Sequence, residues 1–444
     1  MLPGEAYGGT LPQLFLGGGI MSIEIMLLLL MLAAFLPLVL WLKLPVGLSL
    51  AATSVIVAAA GGQGFPLRHL VEGMFGYLDV SLVLITAMIF MKVIEKNGLL
   101  NALARDLILK FGRSPLALLS VMTLIIMFPG AITGSCTASV LSTGVLMLPV
   151  LAQMNMPRHQ AGAIIAMASV YGMIAPPVNI IVMIIGGGID MPYIGFDLIL
   201  LLITVPLAVL TTIYLGYGYA RKVDLKAAVA SLQGRETGGG WLLYMPLLVV
   251  AVLMIGPKAI PQLFPDPRLP LTFVIGSILG LFVGKKFPFL EAARQALSEI
   301  LPVVGILMGI GMLIQIMTLT GIRGAIAINS LSLPAYLLLL SIAVSLPLFG
   351  GISVFGASSI LGVPFILTFL GQNLIVIASA LSLIAAMGSF TPPVALTAVI
   401  AAQVVGEPNY FNVIRPLILP ALVAIIIGVV LIVYANPVAK LIGL

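Results

Sequence analysis

The chain is short of charge. Only 8% of its 444 residues are charged while 61% are hydrophobic, and the mean hydropathy is +1.26. Soluble domains carry about 25% charged residues, so this composition excludes a water-soluble fold and implies a polytopic protein of the lipid bilayer. Cysteine is nearly absent: the single Cys136 can form no internal disulfide and has no Cys or His cluster beside it. That excludes a disulfide framework and a cysteine-based zinc site, and leaves Cys136 as a small residue in a tight loop. Histidine is scarce too, with His69 and His159 both in loops, which gives a histidine switch little support. Glu24, Asp79, Lys92, Glu95, Asp190 and Asp197 lie near the ends of apolar segments, and no acid falls at the middle of one. A carboxylate proton path is therefore disfavoured. No Ser/His/Asp set, phosphate loop or nucleotide-binding cassette is present, so neither an enzyme nor an organic cofactor is expected. The net charge of +6 comes from bases scattered through loops without interleaved aromatics, which sets nucleic acid aside.

What the chain has is apolar length. Candidate spans fall near 21–41, 45–60, 78–95, 160–187 and 195–217, and again near 241–256, 270–285, 302–318, 373–404 and 413–435. Residues 1–20 lack a basic signal-peptide start, and the run 21–42 is long enough to span, so it is read as retained. Between the third and fourth spans of each half lie two shorter apolar arms, 116–128 with 140–153 and 335–347 with 360–370. A 13-residue arm covers roughly 20 Å against a hydrocarbon core of ~30 Å, which predicts re-entrant hairpins with tips inside the membrane.

The halves repeat each other. Phe65-Pro66 pairs with Phe287-Pro288, Asn97-Gly98-Leu99 with Thr320-Gly321-Ile322, Pro115 with Pro334 and Ala138-Ser139 with Ala357-Ser358, at offsets of 222, 223, 219 and 219. Five crossings per repeat is an odd number, so the second copy enters from the opposite side. The expected fold is an all-α polytopic membrane protein of two inverted repeats, each five spans plus one hairpin. Its parts are an N-terminal segment (1–20), a first repeat (21–218), a cytoplasmic linker (219–240) and a second repeat (241–444). Of the 20 Lys and Arg residues, 15 fall on one side of this arrangement and 5 on the other. The rich side belongs in the cytoplasm, which places both termini outside.

The polar residues collect where the helices break. The loop Pro129-Gly-Ala-Ile-Thr-Gly-Ser-Cys-Thr-Ala-Ser139 precedes Ala175-Pro-Pro-Val-Asn179, and Gly350-Gly-Ile-Ser-Val-Phe-Gly-Ala-Ser-Ser359 precedes Gly388-Ser-Phe-Thr-Pro-Pro-Val394. Unwound backbone survives at membrane depth only where protein buries it or water reaches it, so paired breaks in inverted halves point to a transporter's ligand site. Helix amides suit a carboxylate there, while carbonyls and hydroxyls suit a small hard cation such as sodium. The candidate ion ligands are Thr133, Gly134, Ser135, Thr137, Pro176 and Asn179 in the first half, and Ser353, Gly356, Ser358, Ser389, Thr391 and Pro392 in the second. Ser135, Asn179, Ser353 and Thr391 are also the candidate substrate ligands. Bland roles compete with these. Ser139 and Ser359 are better read as packing residues, Asn179 could simply cap freed backbone, and a channel or scaffold component is a further reading.

Pro129-Gly130 with Thr133-Gly134-Ser135, the stretch 161–172 leading into Pro176-Pro177, and Thr391-Pro392-Pro393-Val394 resemble the large membrane subunit of the tripartite ATP-independent periplasmic (TRAP) transporters, part of the ion transporter superfamily. The resemblance runs from about 21 to 434. It implies an elevator-type transporter of the cell inner membrane, with sodium as coupling ion and a small organic acid such as a C4-dicarboxylate as substrate. It also implies a small membrane subunit and a periplasmic substrate-binding protein as partners. A stand-alone symporter or antiporter of the same superfamily is the alternative. The chain departs from the family pattern at Val178-Asn179, where Ser is usual, at Ala395, where Gly is usual, and at Gly371-Gln372-Asn373.

Overall fold

The computed structural model describes residues 22–111, 114–221, 240–260, 262 and 266–444. The expected N-terminal segment and most of the expected linker lie outside the described residues, as do Arg113, Lys222, Lys226 and Arg235 of the charge count. Among the described residues every regular element is helical. The first half runs Ile23–Leu40, Val46–Ala60, Leu67–Phe75, Leu78–Lys96, Leu99–Phe111, a hairpin from Pro115–Thr133 to Val145–Gln153, a broken helix of Arg158–Met173 and Ile180–Gly187, and Phe196–Ala220. The second half repeats the order with Met245–Ala259, Arg268–Phe282, Phe289–Leu319, Ile322–Leu331, a hairpin opening on Ala335–Gly350, a broken helix of Leu374–Ala386 and Leu396–Val405, and Ile418–Val433.

Several expectations need correction. The loop 129–139 is mostly helix: the first arm runs 19 residues to Thr133, roughly 28 Å, and the chain restarts as Cys136–Ser139. Pro129 lies inside the arm and removes the bond its N–H would make to the Ile125 carbonyl, yet the helix continues one more turn past it, and the Gly134 N–H closes that turn onto the Gly130 carbonyl at 2.7 Å. The third span of the second half starts at Phe289 rather than 302 and runs unbroken for 31 residues. Its first-half counterpart is interrupted between Phe75 and Leu78. Leu99–Phe111 and Ile322–Leu331 form full helices after the left-handed glycines Gly98 and Gly321, where only turns were expected.

The buried side chains divide into two cores, each drawing on both halves. One, the frame, gathers residues 27–102 and 243–322, with Phe289–Leu319 crossing Val46–Ala60, Leu67–Phe75 and Leu78–Lys96. Gly73 and Gly311 face each other at one crossing so closely that a methyl on either would run into the other's carbonyl. The second core, the hairpin body, gathers residues 104–220 and 338–439. Pro115–Thr133 packs there on Arg158–Met173 and Phe196–Ala220, while Leu396–Val405 crosses from the second half onto Arg158–Met173. Leu99–Phe111 straddles the division: Leu99, Leu100 and Ala102 belong to the frame, Ala104 and Ile108 to the hairpin body. Ile132, Val178, Ile180, Met183 and Ile184, all near the first tip and break, pack into the frame core.

Candidate functional site

Each hairpin tip meets the break of its own half. In the first, the Val178 N–H donates to the Ala131 carbonyl at 3.1 Å; in the second, the Val394 N–H donates to the Gly351 carbonyl at 3.2 Å. Both breaks carry a cis peptide, at Pro176-Pro177 and Pro392-Pro393. Both descending arms contain a π-helical turn, Val140–Gly144 and Ser358–Gly362, a local widening frequent at functional sites.

The first tip is two residues long. Thr133 is buried at the end of the arm, its hydroxyl donating to the Pro129 carbonyl at 2.7 Å and accepting from the Ser135 N–H at 3.3 Å. Gly134 turns the chain with φ 65° and ψ 19°, and Ser135 caps the restarted helix by accepting from the Ala138 N–H at 3.3 Å. Thr137 lies half-buried in the first turn beyond the cap, and Pro176 is half-buried at the break. Asn179 is fully buried and committed: its Nδ2 donates to the Ile174 carbonyl at 2.9 Å and to Ser382 Oγ at 2.8 Å, and its Oδ1 accepts from the Val182 N–H at 3.1 Å. It caps Ile180–Gly187 and ties the first break to the broken helix of the other half.

In the second hairpin, Gly351, Ile352 and Ser353 separate the arms. The Thr391 and Pro392 carbonyl oxygens stand 2.7 and 2.9 Å from where a Cβ on Gly351 would lie, so tip and break are in direct backbone contact. Ser353 caps the descending arm by accepting from the Gly356 N–H at 3.0 Å, which also occupies that amide. Ser358 lies below the tip, its hydroxyl donating to the Val354 carbonyl at 2.7 Å. Ser389 is buried in the short turn Met387–Phe390, while Thr391 is half-buried and Pro392 exposed. The first break is thus closed over and the second open. The structure brings the candidates together as two half-sites, and joins those through two residues that no local signal marked, Ser382, which pairs with Asn179, and Thr397, whose hydroxyl donates to Cys136 Sγ at 3.1 Å. Ser382 could have been noticed only as one of two hydroxyls in the otherwise apolar Leu374–Ala386.

The donors at both tips are hydroxyls and backbone groups, with a helix ending and a helix beginning within three residues. Such a tip presents carbonyl oxygens to a cation and amides to an anion on adjacent faces. Ala395, beside the second break, adopts φ 43° and ψ 47°, a left-handed conformation that glycine takes without a Cβ penalty. Replacing Ala395 by Gly is expected to stabilise the purified protein by about 1 kcal/mol, read as a higher midpoint of thermal unfolding in detergent.

Paired inverted halves, hairpin tips set against broken helices and a separate frame define a secondary transporter. The chain belongs to the tripartite ATP-independent periplasmic transporter family as its DctM component, whose family model matches residues 29–438. No curated protein sequence matches it significantly. Two solved structures share the fold. The YdaH transporter of Alcanivorax borkumensis superposes with a TM-score of 0.59 at 16% identity, covering 88% of this chain and 97% of that one. MtrF of Neisseria gonorrhoeae, described with a class of antimetabolite efflux pumps, superposes with a TM-score of 0.60 at 14% identity, covering 90% and 97%.

Proposed function

We propose that the chain takes up a small organic acid, in the size class of a C4-dicarboxylate, across the inner membrane, driven by sodium. The observation that carries this is the meeting of each tip with its own break, with the half-sites tied through Asn179 and Ser382. Sodium fits the donor set: the Ser135, Thr137 and Thr391 hydroxyls and the carbonyls at Gly134, Thr391 and Pro392 are hard neutral oxygens. The tip amides would receive a substrate carboxylate. Movement is that of an elevator, the hairpin body sliding past the frame. A small membrane subunit would support the frame, and a soluble periplasmic protein would deliver the substrate.

The side rich in Lys and Arg is assigned to the cytoplasm, with the termini outside. Trp41 and Trp241, 81% and 72% exposed, both sit on that side at ends of frame helices, where interfacial aromatics anchor a span. A second reading, a stand-alone symporter or antiporter, has the same fold, and the description of MtrF with a class of efflux pumps is what supports it. Uptake into proteoliposomes by the purified chain alone would select it; uptake only after adding a small subunit and binding protein would select the first.

The coupling ion is tested by thermal unfolding of the detergent-purified chain. A ligand that binds only the folded state stabilises it by RT ln(1 + [L]/Kd), about 2.7 kcal/mol at a hundredfold excess over Kd. Sodium is expected to raise the midpoint and potassium at equal ionic strength to leave it unchanged. Equal shifts by the two salts would reject sodium.

A further inference from the structure

The segment 188–197, between the first broken helix and Phe196–Ala220, lies against both cores: Ile189 and Tyr193 pack on the frame and on the hairpin body. Its ends are held from the frame. At one end the Tyr77 hydroxyl donates to the Ile184 carbonyl at 2.9 Å, and the Tyr77 ring covers Gly187. At the other, Asp197 forms an ion pair with Lys258 of the frame helix Met245–Ala259. Asp190 lies between them in sequence, exposed, on a backbone with φ 57°. Arg323, at the start of the frame helix Ile322–Leu331, is half-buried and its Nε is enclosed without a hydrogen-bond partner. Burial holds that guanidinium below its ordinary pKa, and the groups whose fields oppose this are Asp190 and Tyr77.

The charges are sorted by body. Asp190 and Asp197 ride on the hairpin body, whereas Lys258, which pairs with Asp197, and Arg323, which makes no ion pair among the described residues, are fixed to the frame. Apart from the straddling helix Leu99–Phe111, whose Asp106 accepts from the Tyr244 hydroxyl at 2.5 Å, the polar side-chain contacts between frame and hairpin body among the described residues lie in this segment or in the helical turn that leads into it. They sit on the side assigned to the exterior, away from both tips.

We propose that segment 188–197 is an outer latch: the Lys258–Asp197 ion pair and the Tyr77 hydroxyl on the Ile184 carbonyl hold the hairpin body against the frame in the state described, the Arg323 charge draws Asp190 the same way at longer range, and each transport cycle breaks and remakes this attachment. This rests on the elevator reading. An exposed ion pair adds little to folding, yet a population shift of a few-fold is enough to change how often the body leaves one state.

The test uses the full chain in membranes with Cys136→Ala, Phe35→Cys and Phe349→Cys. The Phe35 and Phe349 rings stack across the frame and hairpin body with centroids 5.8 Å apart, so cross-linking of the introduced thiols by a short bifunctional reagent reports this state. Asp197→Lys is expected to slow cross-linking about threefold, and Asp197→Lys with Lys258→Asp to restore it. Asp190→Lys is expected to act in the same direction and to be rescued by Arg323→Glu. An unchanged rate in the single reversals, or a swap that fails to restore it, overturns the latch. The coupling reading is read separately in the same assay: a rate that sodium changes but the reversals do not sinks the latch alone, and a rate that the reversals change but sodium does not sinks the coupling alone.

Discussion

Replacing Asn179 by alanine is expected to destabilise the folded protein by about 3 kcal/mol and to cut uptake at least tenfold. The stability loss has two sources. The side chain is the N-cap of Ile180–Gly187, and removing a cap costs about 1 kcal/mol. Its amide also satisfies the Ile174 carbonyl and Ser382 Oγ in a site without solvent exposure, and each buried polar group left unpaired costs about 1–3 kcal/mol. The loss in uptake follows because this one side chain holds the two half-sites in register. Two further variants separate the roles. Asn179→Ser keeps a capping hydroxyl but is too short to hold both partners, while Ser382→Ala removes only the bridge between halves. If the bridge matters, the double variant Asn179→Ala with Ser382→Ala is less than additive in unfolding free energy, by about 1 kcal/mol or more. Strict additivity, with uptake unaffected by Ser382→Ala, would reduce Asn179 to a local cap.

That bridge also shows where reading the sequence runs out. The spans, the two hairpins, the two proline breaks and their inverted pairing were legible because each leaves a local mark: an apolar run, a small-residue loop, a Pro-Pro, a matched Asn-Gly and Thr-Gly turn. Gly98 and Gly321 do occupy equivalent left-handed turns. Helix extent was less legible, since a proline reads as a stop although the helix runs through Pro129 for one further turn, to Thr133. Ser135 and Ser353 had the position of ligands and also the spacing of N-caps, and the backbone uses both as caps. The division into frame and hairpin body left no local mark, because each core is assembled from both halves. Asn179 and Ser382 are 203 residues apart and Cys136 and Thr397 are 261 apart, so only the folded chain pairs them.

Gly134→Ala is expected to abolish sodium-dependent stabilisation and reduce uptake at least tenfold while leaving the helices folded. Two physical effects coincide there. With φ 65°, Gly134 occupies a conformation that costs an L-residue roughly 1–2 kcal/mol. A Cβ at this position would also stand 2.5 Å from Ile180 Cγ1 and 2.8 Å from Ile180 Cδ1, so the tip or the helix behind the break must move. Overpacking of this kind costs about 1–3 kcal/mol, a sum the whole body can absorb but the local contact cannot. What yields is the bond between the Ala131 carbonyl and the Val178 N–H, which holds the tip on the break at 3.1 Å. Shortening Ile180 separates the two effects: Gly134→Ala with Ile180→Ala removes the clash and keeps the dihedral strain. Recovery of uptake and of the sodium shift in the double variant assigns the defect to tip displacement, whereas loss in both variants assigns it to the left-handed turn itself. Wild-type uptake with an undiminished sodium shift in Gly134→Ala would mean that the first tip does not form the ion site, and would leave the second tip, at Gly351 and Thr391, to carry it alone.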